Sequence, residues 1–295
     1  MATLFDGFEP VDLNTPRGRV RARVGGSGPP LLLLHGYPQT HLMWHAVAPT
    51  LAARFTVVAA DLPGYGDSFR PPVSEDHASH GKRALAADLI AAMAALGQRA
   101  FAVAGHDRGG RVAYRMALDH PEVVTRLAVL DIVPTGEVWA HADARFALAY
   151  WHWGFLAQPA PLPERLVLGD PDGFWIAAKR MGIKDDDRYP GDVVAAYRAQ
   201  LDDPGFVTAM CEDYRAGATI DRELDDADLG RRIIACPTRS LWGGDGALPR
   251  FYDDPLEPWR PFAPDLSGRV VEDASHFLVE DAPGEVAADL ARFFG

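Results

Sequence analysis

Phe101-Ala102-Val103-Ala104-Gly105-His106-Asp107-Arg108-Gly109 is the stretch that decides the fold. Its first four residues form a short apolar run of the kind found in strands buried on both faces. Residues 111–118 then read as a helix that ends before Pro121. Between them, Gly105 and Gly109 flank Asp107 in a Gly-x-acid-x-Gly pattern. Small residues let a strand and a helix pass closely, so Asp107 is expected on a sharp turn between the two. A serine at such an elbow attacks carbonyl carbon, whereas a carboxylate is better suited to displacing a leaving group from saturated carbon. The bland alternative is an aspartate that merely caps a helix.

Working outward, residues 20–24 alternate like a strand, residues 25–28 form a glycine turn, and residues 31–34 are a continuous apolar strand ending at His35-Gly36. Another strand, residues 55–60, runs into the loop Asp61-Leu62-Pro63-Gly64-Tyr65-Gly66. A helical stretch at 83–96 precedes the elbow, and residues 127–131 form the next strand. This alternation predicts a doubly wound, mostly parallel sheet whose ligands bind beyond the carboxyl ends of the strands. From Pro134 the rhythm becomes helical, at 137–155, 192–201 and 206–214, before strands resume at 238–242 and 269–271 and a helix at 286–294 closes the chain. The expected division is therefore a core of residues 1–133 and 227–295 with a helical cap of residues 134–226.

Composition narrows the partners. The chain has 295 residues, 48% of them hydrophobic, enough for one large α/β domain with an inserted lobe. A net charge of −12 argues against nucleic acid and anionic membranes, which require a positive footprint. The two cysteines, Cys211 and Cys236, suggest neither a disulfide framework nor a thiolate metal site. With no long apolar run and no signal-like start, the expected location is cytoplasmic. No cofactor is required, since water and side chains suffice for the chemistry.

An elbow nucleophile needs a base oriented by an acid, in the chain order nucleophile, acid, histidine. His276, after the last strand, fits the base. Asp131 and Asp245 each follow a suitable strand, with Asp131 favoured. The backbone amides of Tyr37, in His35-Gly36-Tyr37-Pro38, and of Arg108 are expected to form an oxyanion hole for hydrolysis of an ester on Asp107. Arg108 and Arg111 share a helix face and offer planar donor forks that match a substrate carboxylate, unless both pair with acidic surface residues. His152, Trp153 and Tyr214 can donate hydrogen bonds to a leaving halide, although aromatic clusters are commonly just packing. Arg115 reads as structural.

At these residues the chain resembles the fluoroacetate dehalogenases, haloacetate dehalogenases of the α/β-hydrolase fold. The resemblance covers nearly the whole chain. It rests on His35-Gly36-Tyr37-Pro38-Gln39-Thr40, Asp61 to Gly66, Gly105 to Arg111, Leu130-Asp131-Ile132, His152-Trp153, Phe155-Leu156-Ala157-Gln158-Pro159 and Cys211-Glu212-Asp213-Tyr214-Arg215-Ala216-Gly217. It implies Asp107 as nucleophile, Arg108 and Arg111 as carboxylate clamp, and His152, Trp153 and Tyr214 as halide site. It further implies His276 with Asp131 as the water-activating pair, a small anionic haloacid as substrate, and a homodimer. Two departures stand out: Tyr37 occupies a position where phenylalanine is usual, and residues 181–184 carry no tryptophan.

Three other readings compete. An epoxide hydrolase would use the same aspartate and histidine with Tyr150, Tyr197 or Tyr214 as proton donors, but leaves the arginines without a task. A haloalkane dehalogenase acts on an uncharged substrate that gains nothing from two arginines. A non-catalytic hydrolase-fold binding protein would not need the set Asp107, Asp131 and His276.

Overall fold

Eight strands lie side by side in the computed structural model, which describes residues 4–184 and 186–295. The strands are β1 (Phe8–Asn14), β2 (Arg19–Gly25), β3 (Pro30–Leu34), β4 (Thr56–Ala60), β5 (Phe101–His106), β6 (Val124–Leu130), β7 (Thr238–Gly243) and β8 (Leu266–Val271). Their spatial order is β1-β2-β4-β3-β5-β6-β7-β8. β1 and β2 pair antiparallel, as do β2 and β4, and every later pairing is parallel. This is the expected mostly parallel α/β-hydrolase sheet. Leu31 to Leu34 and all six residues of β5 are buried, because helices cover both faces of a parallel sheet.

The register aligns the chemistry along one rim. Leu34 of β3 sits opposite Gly105 of β5, and His106 sits opposite Leu130 of β6. His35, Asp107 and Asp131 therefore leave the sheet at the same level, at the carboxyl ends where α/β folds bind ligands. His276 reaches the same rim from the loop after β8.

Between β6 and β7 the described residues contain no strand. Helices run at Thr135–Ala140, Ala144–Ala149, Trp151–Leu156, Leu162–Gly169, Pro171–Lys179, Gly191–Ala199, Pro204–Ala218 and Ile220–Asp228. Aspartates at Asp143, Asp170 and Asp203 cap three of them by accepting from backbone amides. Proline at the first turn suits the helices starting at Leu162, Pro171 and Pro204. The long helix predicted from residues 137–155 is instead three short ones, broken around Asp143 and Tyr150.

Candidate active site

Asp107 opens the helix Asp107–Asp119 directly after β5, with φ at +43°. That left-handed conformation costs a residue with a side chain on the order of 1–3 kcal/mol, so the surroundings must enforce it. The glycines on either side do so. A Cβ on Gly105 would lie 2.4 Å from the Gly109 carbonyl oxygen, and one on Gly109 would lie 2.4 Å from the His35 carbonyl oxygen. Helix and sheet can approach this closely only without side chains.

The Asp107 carboxylate is buried and held by the Tyr37 backbone N–H, which donates to Oδ2 at 3.0 Å. Burial works against its charge, but His276, Arg108, His106 and Arg111 outweigh that and keep the carboxyl well below the usual range. It is anionic, as the role expected of it requires.

His276 Nδ1 lies 2.6 Å from Asp131 Oδ2, and Asp131 Oδ1 accepts from the Gly243 N–H at 3.0 Å. A carboxylate on Nδ1 favours the tautomer that leaves Nε2 as a base. Burial pulls the imidazole pKa down, yet the Asp131 hydrogen bond and charge, with Asp107 behind them, raise it above the ordinary 6.5. Asp245, the alternative partner, is exposed after β7, and its backbone N–H donates to the Ala274 carbonyl of the His276 loop at 2.9 Å. Of the two acids, Asp131 is the one bonded to the imidazole.

The arginines differ from each other. Arg108 is buried with Nε 3.1 Å from Asp213 Oδ2, and its guanidinium carbon lies 3.6 Å from the Tyr214 ring centroid. Asp213 also accepts from Tyr65 and from Lys82, which in turn reaches Asp221. Burial disfavours the Arg108 charge, while Asp213, Tyr214 and Asp107 more than restore it. Its Nη1 and Nη2 are buried and make no hydrogen bond among the described residues. Arg111 donates from Nη1 to the Val133 carbonyl at 3.1 Å and to Thr135 Oγ1 at 3.0 Å, and its guanidinium carbon lies 4.6 Å from the Trp153 ring centroid. Neither arginine is a surface pair: the acid beside Arg108 is itself buried. Arg115 is structural, paired with Asp119 and Asp228.

His152 and Trp153 come from the helix Trp151–Leu156 and Tyr214 from Pro204–Ala218. They converge around Tyr37: the His152 ring stacks on it at 6.0 Å and Tyr214 meets it edge-on at 5.8 Å, while Tyr214 also meets His152 and Trp153. Burial lowers the His152 pKa to about 3 and raises that of Tyr214 well above the phenol range. Both stay neutral and keep an N–H or O–H to donate. The residues that sequence reasoning passed over are Lys82, Tyr65 and Asp213. Tyr65 and Asp213 had a signal, lying in the stretches Asp61 to Gly66 and Cys211 to Gly217, whereas Lys82 had none.

A cavity of about 700 Å³ opens from Asp107 and His276, with Asp131, Arg111, Tyr150 and Trp153 also on its wall. No group of three or more metal-ligating side chains is placed to hold a metal ion among the described residues. Among them, too, no helix is long and apolar enough to cross a membrane.

Residues 29–283 match the family described as alpha/beta hydrolase fold. The chain belongs to that family. This α/β hydrolase is 43% identical to a fluoroacetate dehalogenase from Burkholderia sp, over 98% of the chain and 95% of that protein. It is 31% identical to a soluble epoxide hydrolase from Corynebacterium sp. (strain C12), over 94% and 93% of the two. A solved structure from Nostoc sp PCC 7120, described as an alpha/beta hydrolase, is 46% identical with a TM-score of 0.94 over 98% of both chains. Another from Pseudomonas aeruginosa, named as an epoxide hydrolase, is 44% identical with a TM-score of 0.92 over 99% and 97%. The relatives thus agree on an α/β hydrolase and divide between two substrates.

Proposed function

We propose that this α/β hydrolase cleaves the carbon–halogen bond of haloacetates such as fluoroacetate and chloroacetate, giving glycolate and halide through an ester on Asp107. The observation that carries the reading is Arg108, a charged guanidinium sealed beside the nucleophile with two buried nitrogens that make no hydrogen bond among the described residues. Buried donors without partners are costly, roughly 1–3 kcal/mol each, and a substrate carboxylate would supply the acceptors.

In the first step an Asp107 carboxylate oxygen attacks the carbon bearing halogen, the carbon–halogen bond breaks, and the halide leaves toward donors on His152, Trp153 and Tyr214. In the second, Nε2 of His276 takes a proton from water, which adds to the Asp107 carbonyl carbon. The Tyr37 N–H that now holds Oδ2, together with that of Arg108, would stabilise the tetrahedral oxyanion. Its collapse breaks the bond from the Asp107 carbonyl carbon to the ester oxygen, and the proton on His276 passes to the departing 2-hydroxy acid. Asp107 is left as the acid and returns to its carboxylate by giving the remaining proton, by way of His276, to solvent.

The epoxide reading has one observation in its favour: Tyr150 shares the cavity wall with Asp107 and His276. Tyr197, another candidate proton donor, is instead committed to Glu280 at 3.0 Å. The test is to incubate the protein with fluoroacetate, chloroacetate and a panel of epoxides and to measure halide and diol. Halide release with little diol is expected; diol without halide overturns the assignment.

A further inference from the structure

The cavity is far larger than the substrate just proposed. A haloacetate has a handful of heavy atoms, whereas about 700 Å³ lies within the range of roughly 300–1,000 Å³ typical of sites for much bigger ligands. Part of its wall is apolar. Ile132, Val133, Val138, Phe146, Leu248 and Phe262 are buried apolar residues on the lining. The exposed residues on it include Asp143, Asp226 and Glu257, with Arg145 paired to Asp143 at 3.1 Å, so its exposed margin is acidic on balance. His152 and Tyr214, by contrast, pack with Tyr37 and Arg108 in a ring cluster outside that lining. Asp107 therefore faces two environments, one dense with donors and one roomy and apolar.

We propose that the apolar chamber is a subsite for an uncharged hydrocarbon group on the carbon that bears the halogen. The preferred substrates are then 2-halocarboxylates with a side chain of several carbons. This rests on the dehalogenase reading above and extends it. Arg108 and Arg111 hold the carboxylate, the side chain lies along Val138 and Leu248, and the acidic margin disfavours a second carboxylate at the far end. The bonds made and broken are those already described, and attack by Asp107 inverts the substituted carbon.

The purified protein is given chloroacetate, then 2-chloropropanoate, 2-chlorobutanoate, 2-chlorohexanoate and 2-chlorohexanedioate, and chloride release is followed. Within the secondary chlorides the reacting carbon is constant, so only the side chain varies. The expected result is a rise in kcat/KM of roughly fourfold for each buried methylene, with the diacid at least tenfold below 2-chlorohexanoate. Leu248→Trp and Val138→Phe, made separately, should lower kcat/KM for 2-chlorohexanoate at least tenfold more than for chloroacetate. A series that falls with chain length while chloroacetate is turned over overturns the proposal, as do variants that affect long and short acids equally. Absence of chloride from every acid, chloroacetate included, overturns the dehalogenase reading itself.

Discussion

The Asp131–His276 contact shows how much one side chain decides. The elbow and the terminal histidine were legible because each sits at a fixed place relative to a strand, but two acids met the same rule of chain order. The structure separates them by bonding: Asp131 lies 2.6 Å from the imidazole and Asp245 is exposed. The Asp213–Arg108 pair was not legible, since the two residues are distant in sequence and nothing local ties a helix in the insert to the elbow. In the proposed cycle His276 is needed neutral, and its pKa is raised above 6.5. Ester hydrolysis should therefore slow as pH falls through that raised value, and Asp131→Asn should move the acid limb to lower pH while cutting the rate by roughly 10²–10⁴-fold. Single-turnover kinetics across pH would show it. His276→Asn should stop the cycle at the ester, visible by mass spectrometry as an adduct on Asp107; no adduct would count against the two-step scheme.

Among the elements, buried parallel strands were the most readable, because β3, β4 and β5 are largely apolar runs closed by turns. β1 was missed: it is an edge strand with Glu9, Pro10 and Asp12 in it, and its burial lacks clean alternation. The helices Leu162–Gly169 and Pro171–Lys179 were hidden by prolines that read as breakers but stand in first turns, where proline is tolerated. The contact between the elbow helix and β3 offers a test at this scale. A Cβ on Gly109 would stand 2.4 Å from backbone oxygen that has no freedom to retreat. Gly109→Ala should displace the helix start and Asp107 with it, destabilising the fold by roughly 1–3 kcal/mol and reducing activity beyond that loss; urea unfolding alongside halide release measures both.

Across the whole molecule, burial of neutral histidines sets the acid limit. His35 and His80 are depressed to about 4, His106 and His152 to about 3, burial being the main cause in each. Between those values and 6.5 the unfolded chain binds protons that the native one does not, so stability must fall as pH falls, by up to about 1.4 kcal/mol per pH unit for each histidine. Glu280, raised to about 8, and Asp88 and Asp225, each raised to about 6, oppose this, since burial makes the native chain hold protons there that the unfolded one has lost. Four such histidines against three carboxyls leave a net loss, so urea midpoints should drop between pH 6.5 and 4.5 with a slope of roughly one proton; midpoints that rise over that range would contradict the buried neutral assignment. The proposed machinery is also spread unevenly along the chain. Nucleophile and arginines stand on the elbow helix, the ring cluster lies in the segment after β6, and the base comes only after β8. Synthesis proceeds in that order, so the group that frees the nucleophile is the last of the set to emerge from the ribosome. On the proposed chemistry, a full-length protein without that histidine would be alkylated once and not recover, so the final loop would be the difference between a catalyst and a stoichiometric trap.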